Sequence, residues 1–436
     1  VAIITVFSSF FSVFSDMGIG ASIIQFKKLG QDAYNHIYSF TFYAGIILMG
    51  VFVAVGYILS FVYGNNVYVS LAWILAVSIF FNTLNIVPSS ILLKEHRFTE
   101  IGIRTVCIIF LSGTVTIFLA YLGFKYYAVV IFSVLQAMLS YFWNRLRVPL
   151  KISFIFKWEP VKNISSFSSY QLLFNVVNYF VSNTDTLLAG KYFGEREAGL
   201  YYKSYQLMTY PISMFSGAIT PALHPVLSDY QDDKDVIYGY LLKMFRVLLY
   251  FSIFVSSVCF FAPKELIYIL YGNNWDAAVT SFQMLSLSIV TKMCNSITGS
   301  FYQSLGRTDI LFKVGLVNAI LVICFTIAGM IGGTIESLAF FTAIGYVACF
   351  WVAFYFLVHK AFGKSYMSFL RMTAKPYVIY LFLLFIARVC PIQVENMVIG
   401  LVVKVLIVGA AYSMLMLIMG EFQNFKDAYK ILLKKK

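Results

Sequence analysis

Three ionisable side chains, Asp16, Asp185 and Lys292, sit deep inside long apolar stretches. At the centre of a membrane helix such a group costs about 2.5–3.5 kcal/mol on insertion scales, so each needs a counter-charge, a hydrogen-bonding partner or water. A carboxylate in that position can titrate or hold a cation. A lysine can hold an anion such as phosphate, as a point charge that acts most strongly where water is scarce. For Lys292 the competing structural role is an ion pair with a carboxylate such as Asp185. For Asp16 and Asp185 it is a helix cap or a partner for a buried cation. Lys203 lies one turn into its segment, and Arg388 and Lys404 lie near segment ends, where a long stem lets the charged head snorkel outward.

These residues end or join polar stripes spaced by three and four, the period of one helix face. Residues 164–190 carry Ser168, Gln171, Asn175, Asn178, Ser182 and Asp185. Residues 198–227 carry Lys203, Gln206, Tyr210, Ser213, Gly217, Thr220 and His224. Residues 277–304 carry Ser281, Ser288, Lys292, Asn295, Gly299 and Gln303; 67–93 carry Ser78, Asn82, Asn85 and Ser89; the first segment carries Thr5, Ser9, Ser12 and Asp16. Lipid-facing positions are apolar, so such a stripe turns toward protein or water. A single Ser or Asn reads as glue between helices, contributing about 0.6–2 kcal/mol. Six successive positions ending in a carboxylate favour a hydrated cavity. The candidate binding residues are Lys292, Lys203, Asn175, Asn178, Asn295, Asn82, Gln206 and Tyr210, with Asp16 and Asp185 as candidates for ion coupling.

The elements that position them are helices in a bilayer. The 436 residues are 60% hydrophobic and 12% charged, with mean hydropathy +0.82. A soluble domain carries about 25% charge, so a water-facing globule is excluded, and intrinsic disorder needs the opposite composition. Thirteen apolar segments predict thirteen membrane helices, at 1–24, 36–62, 67–93, 99–122, 124–146, 164–190, 198–227, 238–262, 277–304, 309–331, 334–358, 373–391 and 397–419. Barrel strands would be shorter and alternate polar with apolar. The six cysteines read as small buried hydrophobes, with no disulfide framework and no metal-ligand spacing.

The formal charge of +13 would suggest nucleic acid in a soluble protein. Here 24 of the 32 Lys and Arg fall in alternate loops and their helix ends, so the charge reports orientation, with those loops and the C-terminus cytoplasmic. The first segment then enters from outside, and a cytoplasmic N-terminus requires one helix before Val1, fourteen in all. At an offset of 210, Leu75/Leu285, Ser78/Ser288, Ile79/Ile289, Asn85/Asn295, Ser90/Ser300 and Arg97/Arg307 are identical, and Asn82 pairs with Lys292. Parallel repeats mark transporters. The expected architecture is all-α: two parallel six-helix lobes around a central cavity plus two C-terminal helices. The N-terminal lobe is 1–146, lacking its first helix, followed by a basic cytoplasmic linker at 147–163. The C-terminal lobe is 164–358, the extra pair 373–419 and a basic cytoplasmic tail 420–436.

The chain has no HExxH, Walker A, GxSxG or CxxC motif. No predicted loop exceeds about twenty residues, which leaves no room for a nucleotide-binding domain and excludes ATP-driven transport by this chain alone. The classes that remain are a transporter, an integral-membrane glycan polymerase or ligase, and a non-transporting scaffold; the polar stripes disfavour the scaffold.

Five stretches in order, FSDMGIGASIIQ (14–25), IVPSSILLKEHRF (86–98), NTDTLLAGKYFGEREAGLYYKSYQL (183–207), SGAITPALHPVLSDYQDD (216–233) and SFYQSLGRTD (300–309), resemble the Wzx-type polysaccharide exporter family. The likeness is to its colanic-acid-exporter-like branch, within the multidrug/oligosaccharidyl-lipid/polysaccharide superfamily. The resemblance implies a multi-pass flippase of the bacterial inner membrane, not an enzyme. Its substrate would be an undecaprenyl-diphosphate-linked oligosaccharide repeat unit, moved to the outer leaflet by alternating access. It implies no cofactor beyond coupling to H+ or Na+ through Asp16 or Asp185, and no nucleic acid. The diphosphate would meet Lys292 and Lys203, and the sugars would meet the Asn, Gln and Tyr of the stripes. Polysaccharide polymerase and chain-length machinery would be partners. A cation-coupled multidrug exporter is the same-fold alternative; it would favour a cavity rich in carboxylates.

Overall fold

The computed structural model describes residues 2–153, 157–389, 392 and 394–422. Cys390 and the tail from residue 423 on, which includes its lysines, lie outside the described residues, and so does the side chain of Thr5. Among the described residues the only regular structure is helix.

The helices are α1 (Ala2–Asp16), α2 (Ile19–Gln25), α3 (Gln31–Tyr63), α4 (Val67–Lys94), α5 (Phe98–Tyr121), α6 (Tyr126–Arg147), α7 (Trp158–Phe193), α8 (Glu195–Ser228) and α9 (Lys234–Phe261). They continue as α10 (Pro263–Tyr271), α11 (Ala278–Ser286), α12 (Ile289–Asn295), α13 (Thr298–Ser304), α14 (Thr308–Ile331), α15 (Ile335–Tyr355), α16 (Tyr366–Val389) and α17 (Met397–Ile418). Among the described residues every predicted apolar segment falls mainly on helix. Nine helices among the described residues, α3 to α6, α9 and α14 to α17, are long and apolar enough to cross a membrane. The segments that fail that test, α1–α2, α7, α8 and α11–α13, are four of the five with polar stripes. A helix that carries Ser, Asn, Gln and charge along one face has less apolar surface to offer lipid. By contrast α5 exposes Ile103, Val106, Ile109, Phe110, Ile117 and Phe118, a side chain set that suits acyl chains and not water.

Two predicted spans are broken. The first bends at Met17 and Gly18, both with positive φ (49° and 68°), and the Asp16 carboxylate accepts from the backbone of Gly18 and Gly20 across that turn. Residues 277–304 form three short helices in place of one. Their hydroxyls bond back to the preceding turn: Ser288 Oγ to Leu285 O (2.7 Å), Ser296 Oγ to Met293 O (2.7 Å) and Thr298 Oγ1 to Asn295 O (2.8 Å). Such back-bonding competes with the helix ladder and bends it. Helix α10 lies in a stretch that the apolar pattern leaves as a loop.

The offset of 210 recurs in the backbone. Helices α5 and α14 start at 98 and 308 and end at 121 and 331. Each is preceded by a left-handed residue, His96 (φ 57°) or Gly306 (φ 68°), and followed by another, Gly123 or Gly333. Arg97 pairs with Glu100 (2.5 Å) and Arg307 with Asp309 (2.9 Å), so each arginine clamps the first turn of the helix it precedes.

The chain divides into two compact units. Unit 1 is Val1–Tyr179, His224–Asp229 and Gly306–Phe312; unit 2 is Phe180–Leu223, Tyr230–Leu305 and Lys313–Lys436. The core of unit 1 packs Ile23, Tyr38, Val87, Leu92 and Ile164, with a second cluster around Phe52, Leu71 and Leu75. Beside them Asn144, fully buried, donates to Asn85 Oδ1 (2.7 Å) and accepts from Arg104 (2.6 Å), so the Asn85 of the α4 stripe serves as helix glue. The core of unit 2 gathers Tyr201, Met208, Phe282, Leu285 and Leu338. The described cysteines, Cys107, Cys259, Cys294, Cys324 and Cys349, are free thiols.

Candidate functional site

The stripe of α7 divides where the chain passes from one unit to the other. In unit 1, Ser168 and Gln171 are buried. A Cβ on Gly18 would lie 2.3 Å from Ser168 O and 2.9 Å from Gln171 Cβ, so only glycine lets α7 approach this closely. Ser22 and Ser168 hydroxyls meet at 2.6 Å, and Thr308 Oγ1 donates to Phe167 O (3.3 Å). The end of α8 belongs to the same unit: His224 lies 3.3 Å from Gln25 Oε1, and Lys27 donates to Asp229 O at 2.9 Å. This part of the stripe is helix glue. Further along, Asn175 Oδ1 accepts from Gln171 (2.9 Å), while Asn178 and Ser182 are exposed.

Asp185 follows in unit 2 and is fully buried. Its Oδ1 accepts the Thr186 N–H (2.8 Å) and its Oδ2 accepts the Tyr201 hydroxyl (2.9 Å). The Tyr346 hydroxyl stands 3.5 Å from the same Oδ2 and 3.3 Å from the Tyr205 hydroxyl. Lys292, on α12, donates to Tyr205 at 3.0 Å, and its Nζ lies 3.7 Å from the centroid of the Tyr346 ring and 4.8 Å from that of Tyr205. The direct Asp185–Lys292 ion pair is not among the salt bridges of the described residues; the two charges meet through Tyr346 and Tyr205. The structure thus brings two sequence-predicted residues into one cluster, built from α7, α8, α12 and α15.

The magnitudes balance. Placing Lys292 in the membrane costs about 2.5–3.5 kcal/mol. One hydrogen bond from a charged donor returns about 1.5–3 kcal/mol and a desolvated cation–π contact about 2 kcal/mol. Lys292 is therefore held by a neutral oxygen and ring faces, remains partly exposed, and has N–H donors beyond the one that Tyr205 takes.

The hydrogen bonds and ring contacts of the other candidates run to residues outside this cluster. Lys203 Nζ donates to Gln206 Oε1 (3.3 Å) and faces the rings of Tyr271 (5.0 Å) and Trp275 (5.9 Å). Tyr210 and Asn82 are exposed. Asn295 accepts from Thr298 within its own turn (3.3 Å). Asp16 lies in unit 1, satisfied by the backbone of its own turn. Lys404 does not snorkel: it is buried and pairs with Glu265 at 2.6 Å, because α10 supplies a carboxylate beside it. Sequence reasoning missed Tyr201, Tyr205 and Tyr346. The first two stand four apart on α8, the spacing of one helix face, and that was the available signal; nothing local marks Tyr346.

Among the described residues no group of three or more His, Cys, Asp and Glu is placed to hold a metal. What the cluster can do chemically is bind an anion at Lys292 and adjust that cation through Asp185, one tyrosine away.

Residues 1–280 match a family model described as polysaccharide biosynthesis protein. The chain is 23% identical over 317 residues to the teichuronic acid biosynthesis protein TuaB of Bacillus subtilis, a match covering 70% of this chain and 63% of that protein. It is 21% identical over 400 residues to the lipopolysaccharide biosynthesis protein WzxC of Escherichia coli, covering 89% and 78% respectively. Among solved structures, a MATE transporter of Vibrio cholerae, VcmN, superposes with TM-score 0.71 at 12% identity over 83% of this chain and 88% of that one. The lipid II flippase MurJ superposes with TM-score 0.62 at 15% identity over 99% of both chains. These likenesses share an all-helical fold with the chain.

Proposed function

The chain belongs to the polysaccharide biosynthesis protein family, and from that membership we propose that it is a flippase for lipid-linked oligosaccharide in the bacterial inner membrane. The substrate is a repeat unit on a polyprenyl diphosphate, moved from the cytoplasmic to the outer leaflet by alternating access between two lobes. The chain does no covalent chemistry.

The observation that carries this reading is Lys292. It is an intramembrane lysine held by the Tyr205 hydroxyl and the Tyr346 ring, with Asp185 behind them. A diphosphate is the part of such a substrate that most needs a counter-charge in a low-dielectric setting. Sugar hydroxyls suit the neutral polar groups Asn175, Asn178, Gln206, Tyr210, Asn295 and Asn82. Lys203, beside Tyr271 and Trp275, offers a second cation with aromatic faces for a sugar ring. Coupling to H+ or Na+ falls to Asp185, whose second oxygen is shared by Tyr201 and Tyr346, and the ring of Tyr346 also touches the lysine. Asp16 is the lesser candidate, because its own turn already satisfies it. The glycan polymerase and chain-length machinery are the natural partners on the outer side.

The fold likeness to a MATE transporter supports a second reading, a cation-coupled drug exporter. A lysine at the cluster disfavours cationic cargo. Deletion of the gene separates the readings: a flippase deletion accumulates lipid-linked repeat units in the cytoplasmic leaflet, whereas a drug exporter deletion changes drug tolerance alone. In the deletion strain, Lys292→Ala is expected to restore no export while reaching the membrane at normal levels. Normal export by that variant removes Lys292 from the site.

A further inference from the structure

The helix pair α16–α17 lines a cavity of about 690 Å³ with the end of α9 and the start of α10. The loop charge bias puts these helix ends on the outer side of the membrane. The volume is that of a small-molecule site, and the site is independent of Lys292 and of the export reading.

Its charges are of both signs and are incompletely paired. Lys404 is committed to Glu265 Oε1 at 2.6 Å. The other oxygen of that carboxylate, Glu265 Oε2, is buried with no hydrogen-bond partner, in a residue only 4% exposed. An unpaired buried carboxylate oxygen is costly and calls for a donor. Three exposed charges share the lining: Lys264, Arg388 and Glu395. Among the described residues none of the three has an ion-pair partner. Phe261, Val394 and Met397 complete the wall with apolar surface.

A simple anion would satisfy Arg388 and Lys264 but leave Glu395 and Glu265 Oε2 repelling it. A simple cation would do the reverse. A zwitterion with phosphate next to a primary ammonium satisfies both sets: the phosphate accepts from Arg388 and Lys264, and the ammonium donates to Glu265 Oε2 and Glu395. We propose that this cavity binds the headgroup of an outer-leaflet phospholipid carrying phosphate and a primary ammonium, a phosphatidylethanolamine, whose glycerol and upper chains lie on the apolar wall.

The test is native mass spectrometry of the purified full chain titrated with dioleoyl phosphatidylethanolamine, phosphatidylcholine or phosphatidylglycerol. The expected result is one saturable phosphatidylethanolamine, bound about tenfold more tightly than phosphatidylcholine, whose quaternary ammonium has no N–H to give. Arg388→Gln and Glu395→Gln change exposed residues and are expected to fold normally, with each weakening that site about tenfold. Lys292→Ala should bind the lipid as the parent does. Tighter binding of phosphatidylglycerol overturns the zwitterion assignment, and unchanged binding in both variants overturns the site. Soluble phosphoethanolamine binding as tightly as the lipid overturns the lipid as its source.

Discussion

Two carboxylates, Asp16 and Asp185, lie deep within the predicted membrane segments, and they are satisfied by opposite strategies. Asp16 is capped by the chain it terminates: the left-handed Met17 and Gly18 fold the backbone back so that Gly18 and Gly20 reach its oxygens. Asp185 takes one bond from its neighbour Thr186, and its other oxygen depends on Tyr201, 16 residues away, and Tyr346, 161 residues away. Only the second arrangement ties a carboxylate to a cation, through tyrosines that also hold Lys292. A group satisfied by its own turn serves to shape the helix. A group satisfied by three elements can report on their arrangement, because any movement among α7, α8 and α15 changes its partners.

The contrast can be attacked in order of expected effect. Gly18→Ala should be the most damaging, because the new Cβ would meet the Ser168 carbonyl at 2.3 Å and must also adopt φ 68°. A loss of about 3 kcal/mol or more is expected, seen as failure to recover monodisperse protein; ordinary thermal stability would refute the close approach of α7. Asp185→Ala strands the buried Tyr201 hydroxyl and removes the charge facing Lys292. It should cost about 3 kcal/mol in thermal unfolding and abolish export, with Asp185→Asn regaining much of the stability. Tyr346→Phe keeps the ring beneath Lys292 and removes one hydroxyl, so about 1 kcal/mol is expected, whereas Tyr346→Leu should lose about twice that. Asp16→Asn should do least, about 0.5–1 kcal/mol, because an amide oxygen still accepts from the same turn. If Asp16→Asn proves as costly as Asp185→Ala in the same melting experiment, the distinction between local and tertiary satisfaction fails.

Much of the fold was legible because lipid as solvent imposes a simple rule. Among the described residues each predicted apolar segment is mainly helical, and the 210-residue echo read from six identities reappears as matched boundaries of α5 and α14. The site was legible only in part. The stripe on α7 named Asp185, and the stripe on 277–304 named Lys292, because charge among apolar residues is visible in one dimension. Nothing in the stripe itself separates Ser168 and Gln171 from Asn178. Yet the first two are buried against Gly18 and Ser22 while the third is exposed. The break of 277–304 into α11, α12 and α13 was also hidden, because hydroxyls that bond back to the preceding turn look the same in sequence as hydroxyls that face a cavity.

By itself the sequence determined an all-helical membrane protein, its repeat, and the few positions where charge enters apolar helices. Composition and period are summed along the chain, so they survive without coordinates. Tertiary structure alone decided that Asp185 and Lys292 meet through tyrosines and not directly, that Lys404 turns inward to Glu265, and that Asp16 is spent on its own turn. Each of those outcomes depends on which side chain from a distant helix arrives within about 3 Å, the reach of a hydrogen bond, and no local pattern encodes that distance.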